Sequence, residues 1–291
     1  MKKPAAIGAL LASASPIALL LGGPADAADM GLRKAPPIAA PPPAYSWTGC
    51  YVGAHVGWGW GRNNFSESTS TSTSVNVTSA GGCITNSSFT NFNHANGNID
   101  TSGGLFGGQV GCNYQFASNW VAGIQGDFAG TDFNGTSNDP LGVGGAIRVK
   151  TDWLASVTAR LGVTAFDNLA LFYVKGGVAW DQNKWDLSSA TNFFNPAVFS
   201  ETRTGWTIGA GSEWVLWNPH WTAFVEFNYY QFNHGAHNVA GSSTSSSTTP
   251  GFNGSGPIIT TTTTTTNSLF QTGSQHIEAV KVGVNYKFGG P

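Results

Sequence analysis

Few residues of this chain are of types that could act in catalysis, and their spacing does not form a catalytic arrangement. Ser274, His276 and Glu278 stand two residues apart, so an extended strand would carry all three on one face. A serine, a histidine and an acid can perform acyl transfer only when a base activates one particular serine, and nothing in this stretch does so. We therefore predict that the protein is not an enzyme and has no catalytic residues.

Other small constellations are equally weak. His234 and His237 lie close together without the acidic or cysteine neighbours that would strengthen a metal signal. The glycine-rich residues 142–145 are not followed by the lysine of a phosphate-binding loop. We expect neither a metal nor a cofactor, and a net charge of −2 argues against a nucleic-acid partner.

Six charged residues share one phase of segments in which apolar and polar residues alternate. They are three acids and three bases: Asp127, Arg160, Lys175, Glu213, Glu226 and Lys281. If the segments are strands, these side chains point away from the apolar face. Charges removed from water in this way have to be paired and hydrogen-bonded, so we predict a polar network enclosed by strands.

Eight segments carry the two-residue period of a strand with two different environments. Most exceed the roughly five or six residues of a globular strand and suit a tilted strand that crosses a membrane. They cover residues 47–61, 103–116, 120–130, 151–165, 169–181, 202–215, 221–234 and 276–288.

The connections between these segments alternate in length. Those near residues 117–119, 167–168 and 216–220 are short, whereas those at about 62–102, 131–150, 182–201 and 235–275 are long. Outer-membrane barrels have short periplasmic turns and long extracellular loops. The predicted fold is an all-β, eight-stranded antiparallel up-and-down transmembrane β-barrel. We expect its Ser/Thr-rich loops to be mobile, although the seven threonines at 260–266 could extend the last strand as a hairpin with the segment after His234.

The width of such a barrel bears on the charged residues. Eight strands enclose a space that is only wide enough for side chains to fill it. The favoured interpretation is a polar plug that holds the barrel together. A narrow path for ions or small solutes is the alternative.

The chain begins with an export signal. Lys2 and Lys3 precede an apolar run, and Ala25-Asp26-Ala27 is a small-x-small signature, so we expect cleavage between Ala27 and Ala28, with residues 1–27 removed. Residues 28–46 are rich in proline and predict an extended periplasmic lead-in, which leaves residues 47–288 for the barrel. Only 10% of residues are charged, and no later apolar run is long enough for a membrane helix. These features predict Sec-type export to the outer membrane.

Tryptophans cluster near the ends of the segments. Indole rings suit the headgroup layers of a membrane, so two aromatic girdles are expected. The periplasmic girdle would contain Trp47, Trp120, Trp214 and Trp221, and the outer girdle Trp58, Trp60, Trp153, Trp180 and Trp206.

Three cysteines are an odd number for an oxidising compartment. Cys50 and Cys112 lie in the outward phase of neighbouring antiparallel segments, and a bridge needs Cα atoms within about 7 Å. A one-residue change of register would separate them, so the sequence does not decide whether they form a disulfide. Cys83 is expected alone in the first long loop.

Several of these segments resemble the alphaproteobacterial outer membrane immunogenic protein family over essentially the whole mature chain. The similar segments are residues 34–61, which cover the lead-in and first strand, residues 103–115, Asp152-Trp153 with Arg160-Leu161-Gly162, residues 205–213 and residues 280–288. The resemblance implies a porin-superfamily barrel related to opacity-type surface antigens of Gram-negative bacteria. Two departures are Cys50 and Cys112, which stand where aromatic or aliphatic residues are expected, and the three residues that follow the final aromatic Phe288.

The resemblance leads to two functional hypotheses. The first is a structural and surface-interaction barrel that supports envelope integrity and contacts the host or environment. Its partners would be outer-membrane lipid, the barrel-assembly machinery through the strand that ends at Phe288, and a host or surface ligand on the loops. The alternative is a narrow porin-like channel for small solutes.

Overall fold

The computed structural model describes residues 45–79, 82–138, 146–188, 197–233, 238–254 and 256–288. Within these ranges no helix is long and apolar enough to span a membrane. Ala27, Ala28 and most of the proline-rich segment lie outside the described residues. The strands are β1 (Gly49–Ser79), β2 (Gly82–Gln115), β3 (Trp120–Asn138), β4 (Ala146–Ala165), β5 (Ala170–Ser188), β6 (Ala197–Val215), β7 (Trp221–Phe232), β8 (Asn238–Asn253) and β9 (Gly256–Phe288).

The strands form one antiparallel sheet that closes on itself. Neighbours from β1 to β7 pair in chain order, and β9 pairs with both β7 and β1. This confirms the predicted up-and-down barrel, but the described residues contain nine strands rather than eight. The additional strand β8 continues beyond β7 along the same edge of β9, since Phe232 pairs with Gln275 and Asn238 with Gln271. It was not counted among the eight because its serines and threonines give no apolar face to recognise, although the hairpin suggested for residues 260–266 already placed a strand there.

Short turns close one end of the barrel at the three predicted places. They join β2 to β3, β4 to β5 and β6 to β7. In the second of them, Phe166, Asp167 and Asn168 have φ angles of 52°, 54° and 65°. Asp and Asn tolerate this left-handed conformation better than most residues, which suits a tight reversal at that point.

The four long loops predicted at the other end are wrong in their extent, because strands continue through most of them. β1 and β2 remain paired up to Ser79 and Gly82, and β3 to β6 continue to Asn138, Ala146, Ser188 and Ala197. On the outward face the apolar residues give way mostly to polar ones there, while the strands stay paired with their neighbours along the ladder. The hairpin proposed for the threonine run is confirmed, since residues 260–266 pair with β8.

These continuations build a sheet of four strands that projects beyond the closed ring. We call it the extension: residues 62–79 of β1, 82–101 of β2, 238–253 of β8 and 256–274 of β9. Its strand order is β2-β1-β9-β8. Among the described residues, β8 pairs with β9 alone, and residues 82–101 of β2 pair with β1 alone, so the extension has two open edges.

Glycines allow the barrel wall to curve tightly. A Cβ atom on Gly107 would lie 2.0 Å from the carbonyl oxygen of Phe128, and one on Gly177 would lie 2.0 Å from that of Val157. No side chain fits at that distance, so glycine is required where neighbouring strands approach so closely.

Cys50 and Cys112 are bridged. They are directly opposed in the register of β1 and β2, with Cα atoms 3.9 Å apart. Both are exposed on the outward face, Cys50 next to the first residue of β1 and Cys112 near the end of β2. The bridge therefore joins β1 to β2 at the barrel end that carries the short turns, and it decides a pairing that the sequence had left undecided.

Candidate functional site

The six predicted charged residues meet inside the barrel as three ion pairs. The distances are 3.0 Å for Arg160 Nη2 to Glu213 Oε2, 2.5 Å for Lys175 Nζ to Glu226 Oε1 and 2.5 Å for Lys281 Nζ to Asp127 Oδ2. All six side chains are buried. Each pair joins strands that are not neighbours, β4 to β6, β5 to β7 and β9 to β3, so the pairs bridge the lumen.

Neutral side chains complete this charged layer. From Arg160 a circuit of hydrogen bonds runs through Tyr51, Gln125, Gln109 and Asn285 to Glu213, with distances of 2.5, 2.8, 3.2, 2.8 and 2.7 Å. The Arg160 guanidinium also lies 3.8 Å from the ring centre of Tyr173. These bonds add to the ion pairs in offsetting the cost of removing the charges from water.

A second polar layer lies further toward the extension and was missed by sequence reasoning. Arg203 bonds to Glu201, whose carboxylate also accepts from Trp185 Nε1 at 3.1 Å and from Thr272 Oγ1 at 3.2 Å. Asn183 Nδ2 donates to Gln275 Oε1 at 2.6 Å across the lumen. Asn183 and Glu201 fell in a predicted loop, although the inward phase of β5 continues past residue 181 to Asn183 and that of β6 runs back from Arg203 to Glu201.

Three apolar clusters separate and cap the polar layers. One closes the short-turn end with Tyr45, Trp47, Val121, Leu171 and Tyr173. A second, around Phe133, Leu154, Phe232 and Ile277, lies between the two polar layers. The third, which we call the cap cluster, consists of Phe65, Ile99, Ile147, Val149, Trp185, Leu187 and Phe270. The lumen is thus filled by five successive layers, apolar and polar in turn.

Eight of the nine tryptophans assigned to girdles lie on the outward face. Trp58, Trp60, Trp120, Trp206, Trp214 and Trp221 are exposed, and Trp153 and Trp180 are half-buried. Trp47 is a correction. It is 2% exposed, and its Nε1 donates to the Asn168 carbonyl at 3.0 Å inside the short-turn end. It precedes the first residue of β1 and has the inward phase, so it folds across the opening instead of facing outward.

The chemical candidates of the sequence are not assembled into a site. Ser274 Oγ accepts a hydrogen bond from Asn64 at 3.2 Å, and the His276 ring stacks on Tyr229 at 6.3 Å. These partners differ from the serine-to-histidine contact that nucleophilic catalysis needs. His234, His237 and residues 142–145 lie outside the described residues, and within the described part no three His, Cys, Asp or Glu side chains group as metal ligands.

Comparison with known proteins identifies the barrel. A family model described as "Outer membrane protein beta-barrel domain" matches residues 17–288. The chain belongs to this family. It is therefore an outer-membrane protein, and its outward apolar residues face lipid. We still expect the outward tryptophans to lie at the two borders of the lipid.

The family assignment agrees with two sets of relatives. The 31 kDa outer-membrane immunogenic protein of Brucella melitensis is 33% identical over 73% of this chain and 83% of its own length. The 25 kDa outer-membrane immunogenic protein of Brucella canis is 28% identical over 72% of this chain and 78% of its own length. The resemblance to outer membrane immunogenic proteins seen in the sequence is confirmed.

Solved structures give a looser match. The outer membrane protein OprG from Pseudomonas aeruginosa is 14% identical, with a TM-score of 0.36, over 85% of this chain and 99% of that chain. The attachment invasion locus protein Ail of Yersinia pestis is 14% identical, with a TM-score of 0.27, over 71% of this chain and 97% of that chain.

Proposed function

We propose that this family member is a structural, non-conducting barrel that presents the extension at the cell surface, where it supports the envelope and contacts the host or environment. The observation that carries this proposal is the filled lumen. Three bridging ion pairs and three apolar clusters occupy its length. A conducting pore would need a continuous wet path, and eight ring positions leave room only for side chains.

The orientation follows from the loop pattern. Short turns mark the periplasmic end of outer-membrane barrels, and the extension lies at the opposite end. The surface role thus belongs to residues 62–101 and 238–274. We also expect the assembly machinery to recognise the end of β9, where Phe288 is 52% exposed and paired with Cys50 at the closing seam.

Planar-bilayer recording tests the closed lumen. Purified, refolded protein should give no stable unitary conductance, whereas a known porin in the same bilayer should. Stable conductance steps from the folded barrel would contradict the proposal and favour the porin-like alternative. The folded state is verified beforehand by the shift in gel mobility between unheated and boiled samples.

Epitope insertion tests the orientation. A tag inserted after Gly254, in the exposed turn between β8 and β9, should bind antibody on intact cells. The matched control is a tag at Ser118, in the short turn between β2 and β3, which should bind only after the outer membrane is opened. Reversed labelling would show that the extension faces the periplasm.

A further inference from the structure

The outward face of β1 carries a groove that the closed barrel does not need. Three adjoining clefts of 450, 590 and 660 Å³ follow this face of the strand beyond the outer girdle. In order, they are lined by Trp60 and Arg62, by Asn64 and Ser66, and by Ser68 and Ser70. We call the three together the outer groove. From Trp60 to Ser70 it spans roughly 33 Å of extended strand.

The groove lies on the outside because of the strand period. Phe65 and Glu67 point inward and are buried, so the residues between them point outward. Neighbouring strands supply the walls. β2 contributes Phe92 and Asn96, and β9 contributes Gln271.

The lining has the chemistry of a saccharide site. Exposed amides at Asn96, Asn98, Asn267 and Gln271 can both donate and accept hydrogen bonds, as sugar hydroxyls can. Phe92 is 79% exposed and offers a free aromatic face for the apolar side of a sugar ring. Residues 63–99 and 238–275 hold no Lys, Arg or Asp, and their one Glu is the buried Glu67. A strongly charged partner would find no counter-charge in this region.

The position of the groove's base indicates that the saccharide would belong to a lipid of the same membrane. Trp60 belongs to the outer girdle and also lines the lowest cleft, so the groove is continuous with the lipid-facing belt. Arg62 and Asp100 stand there as an exposed ion pair, with nitrogen and oxygen 2.6 Å apart, next to His276. A glycan that rises from a lipid headgroup beside the barrel would enter at this point and continue along β1.

We propose that the outer groove binds the saccharide chain of a glycolipid anchored in the same outer leaflet. The proposal rests on the surface orientation given above. It assigns the Ser/Thr-rich extension a definite role, which is to fix neighbouring glycolipid against the barrel and to couple the protein to the envelope around it.

Binding by purified protein tests the proposal. The folded barrel in detergent is titrated with three probes: the outer-leaflet glycolipid of the source membrane with its full saccharide, the same glycolipid trimmed to its innermost sugars, and the full saccharide released from lipid. Native mass spectrometry then measures occupancy. The full glycolipid should bind most tightly. Tighter or equal binding of the trimmed form would overturn the groove, and equal binding of the released saccharide would overturn the membrane anchor.

Two matched pairs of variants locate the site. Phe92→Ala should lower the affinity for the full glycolipid about three- to tenfold. Phe89→Ala should leave the affinity unchanged, because Phe89 is exposed on the opposite face of the same strand. Asn96→Ala should likewise lower this affinity, and Asn91→Ala should not, because Asn91 also lies on the face of β2 opposite the groove. Equal effects within either pair would refute the site. The epitope test reports the orientation separately from the binding test, so a wrong orientation can be distinguished from a groove that binds nothing.

Discussion

The barrel within the membrane and the extension above it share the same two-residue strand period, but they place different residue types on the two faces. Between the girdles the outward residues are apolar and the inward ones include three buried ion pairs. In the extension the outward residues are mostly hydroxyls and amides, with Phe92 as an exposed aromatic. Near the ring, three inward residues of the extension, Phe65, Ile99 and Phe270, pack into the cap cluster with residues of β4 and β5, and farther out the inward residues are mostly polar as well.

The difference shows what holds each region together. The barrel is closed, so every strand has two neighbours and its lumen is a core of packed charges and apolar side chains. The extension has two open edges among the described residues, and beyond the cap cluster its stability depends on backbone pairing and on cross-strand hydroxyl contacts such as Thr71 to Thr266 at 3.2 Å. Substitutions should therefore be far more costly between the girdles than beyond the cap cluster.

The largest effect is expected from an unpaired charge in the lumen. Lys281→Met leaves the Asp127 carboxylate buried without its cation, and the free energy of unfolding should fall by about 3–5 kcal/mol. Urea titration followed by tryptophan fluorescence measures the loss. The double variant Lys281→Met with Asp127→Leu should recover much of it, because no charge is then left alone. A single variant as stable as wild type would mean that the pair is not desolvated.

The next effect should come from the cap cluster. Trp185 is fully buried, lies 5.6 Å from the ring of Phe270 and donates to Glu201. Trp185→Ala should destabilise its surroundings by about 3 kcal/mol and admit protease to the extension while the membrane core keeps its gel mobility. Phe252→Ala serves as the control, since that ring is 81% exposed at the tip. Equal protease resistance in both variants would argue against the cap cluster as the anchor of the extension.

The same substitution at two outward positions of β9 sharpens the comparison. Val282→Lys places a cation against lipid near the middle of the membrane and should destabilise the barrel by about 2–4 kcal/mol. Thr263→Lys lies on the same face in the extension and should change stability by no more than about 0.5 kcal/mol. Similar losses at both sites would mean that the border between lipid and water is misplaced.

The smallest effect is expected at the exposed ion pair of Arg62 and Asp100. The hydrogen bond from Arg62 lowers the pKa of Asp100, so any stabilisation is present above the ordinary carboxyl pKa and disappears as pH falls through the lowered value. Because both side chains are solvated, Arg62→Met should leave the urea midpoint unchanged within error at pH 7 and at pH 3. A clear loss at pH 7 alone would show that the pair is structural.

Much of the barrel followed from periodicity. A charge on the lipid face would be destabilising, so selection leaves a period of two in which Arg160 or Glu226 can occupy only the inward phase. The short turns were equally readable, because Asn and Asp permit the backbone that such reversals require. The fold class, the outward tryptophans of the strands and the inward charges were therefore all accessible without coordinates.

Other features needed the fold, because sequence phase says which face a side chain occupies but not which partner it meets. The pairing of Lys281 with Asp127, three strands away around the ring, depends on closure of the barrel and on its diameter. Trp47 was misassigned because it was placed by residue type, as a girdle aromatic, although its phase is that of the inward Tyr51. The extension is the clearest case. Both of its faces are largely polar, so burial specifies neither strand nor register there. Its strands are aligned instead by continuation from the barrel below, where one face is apolar and a slip of one residue would turn that face away from lipid.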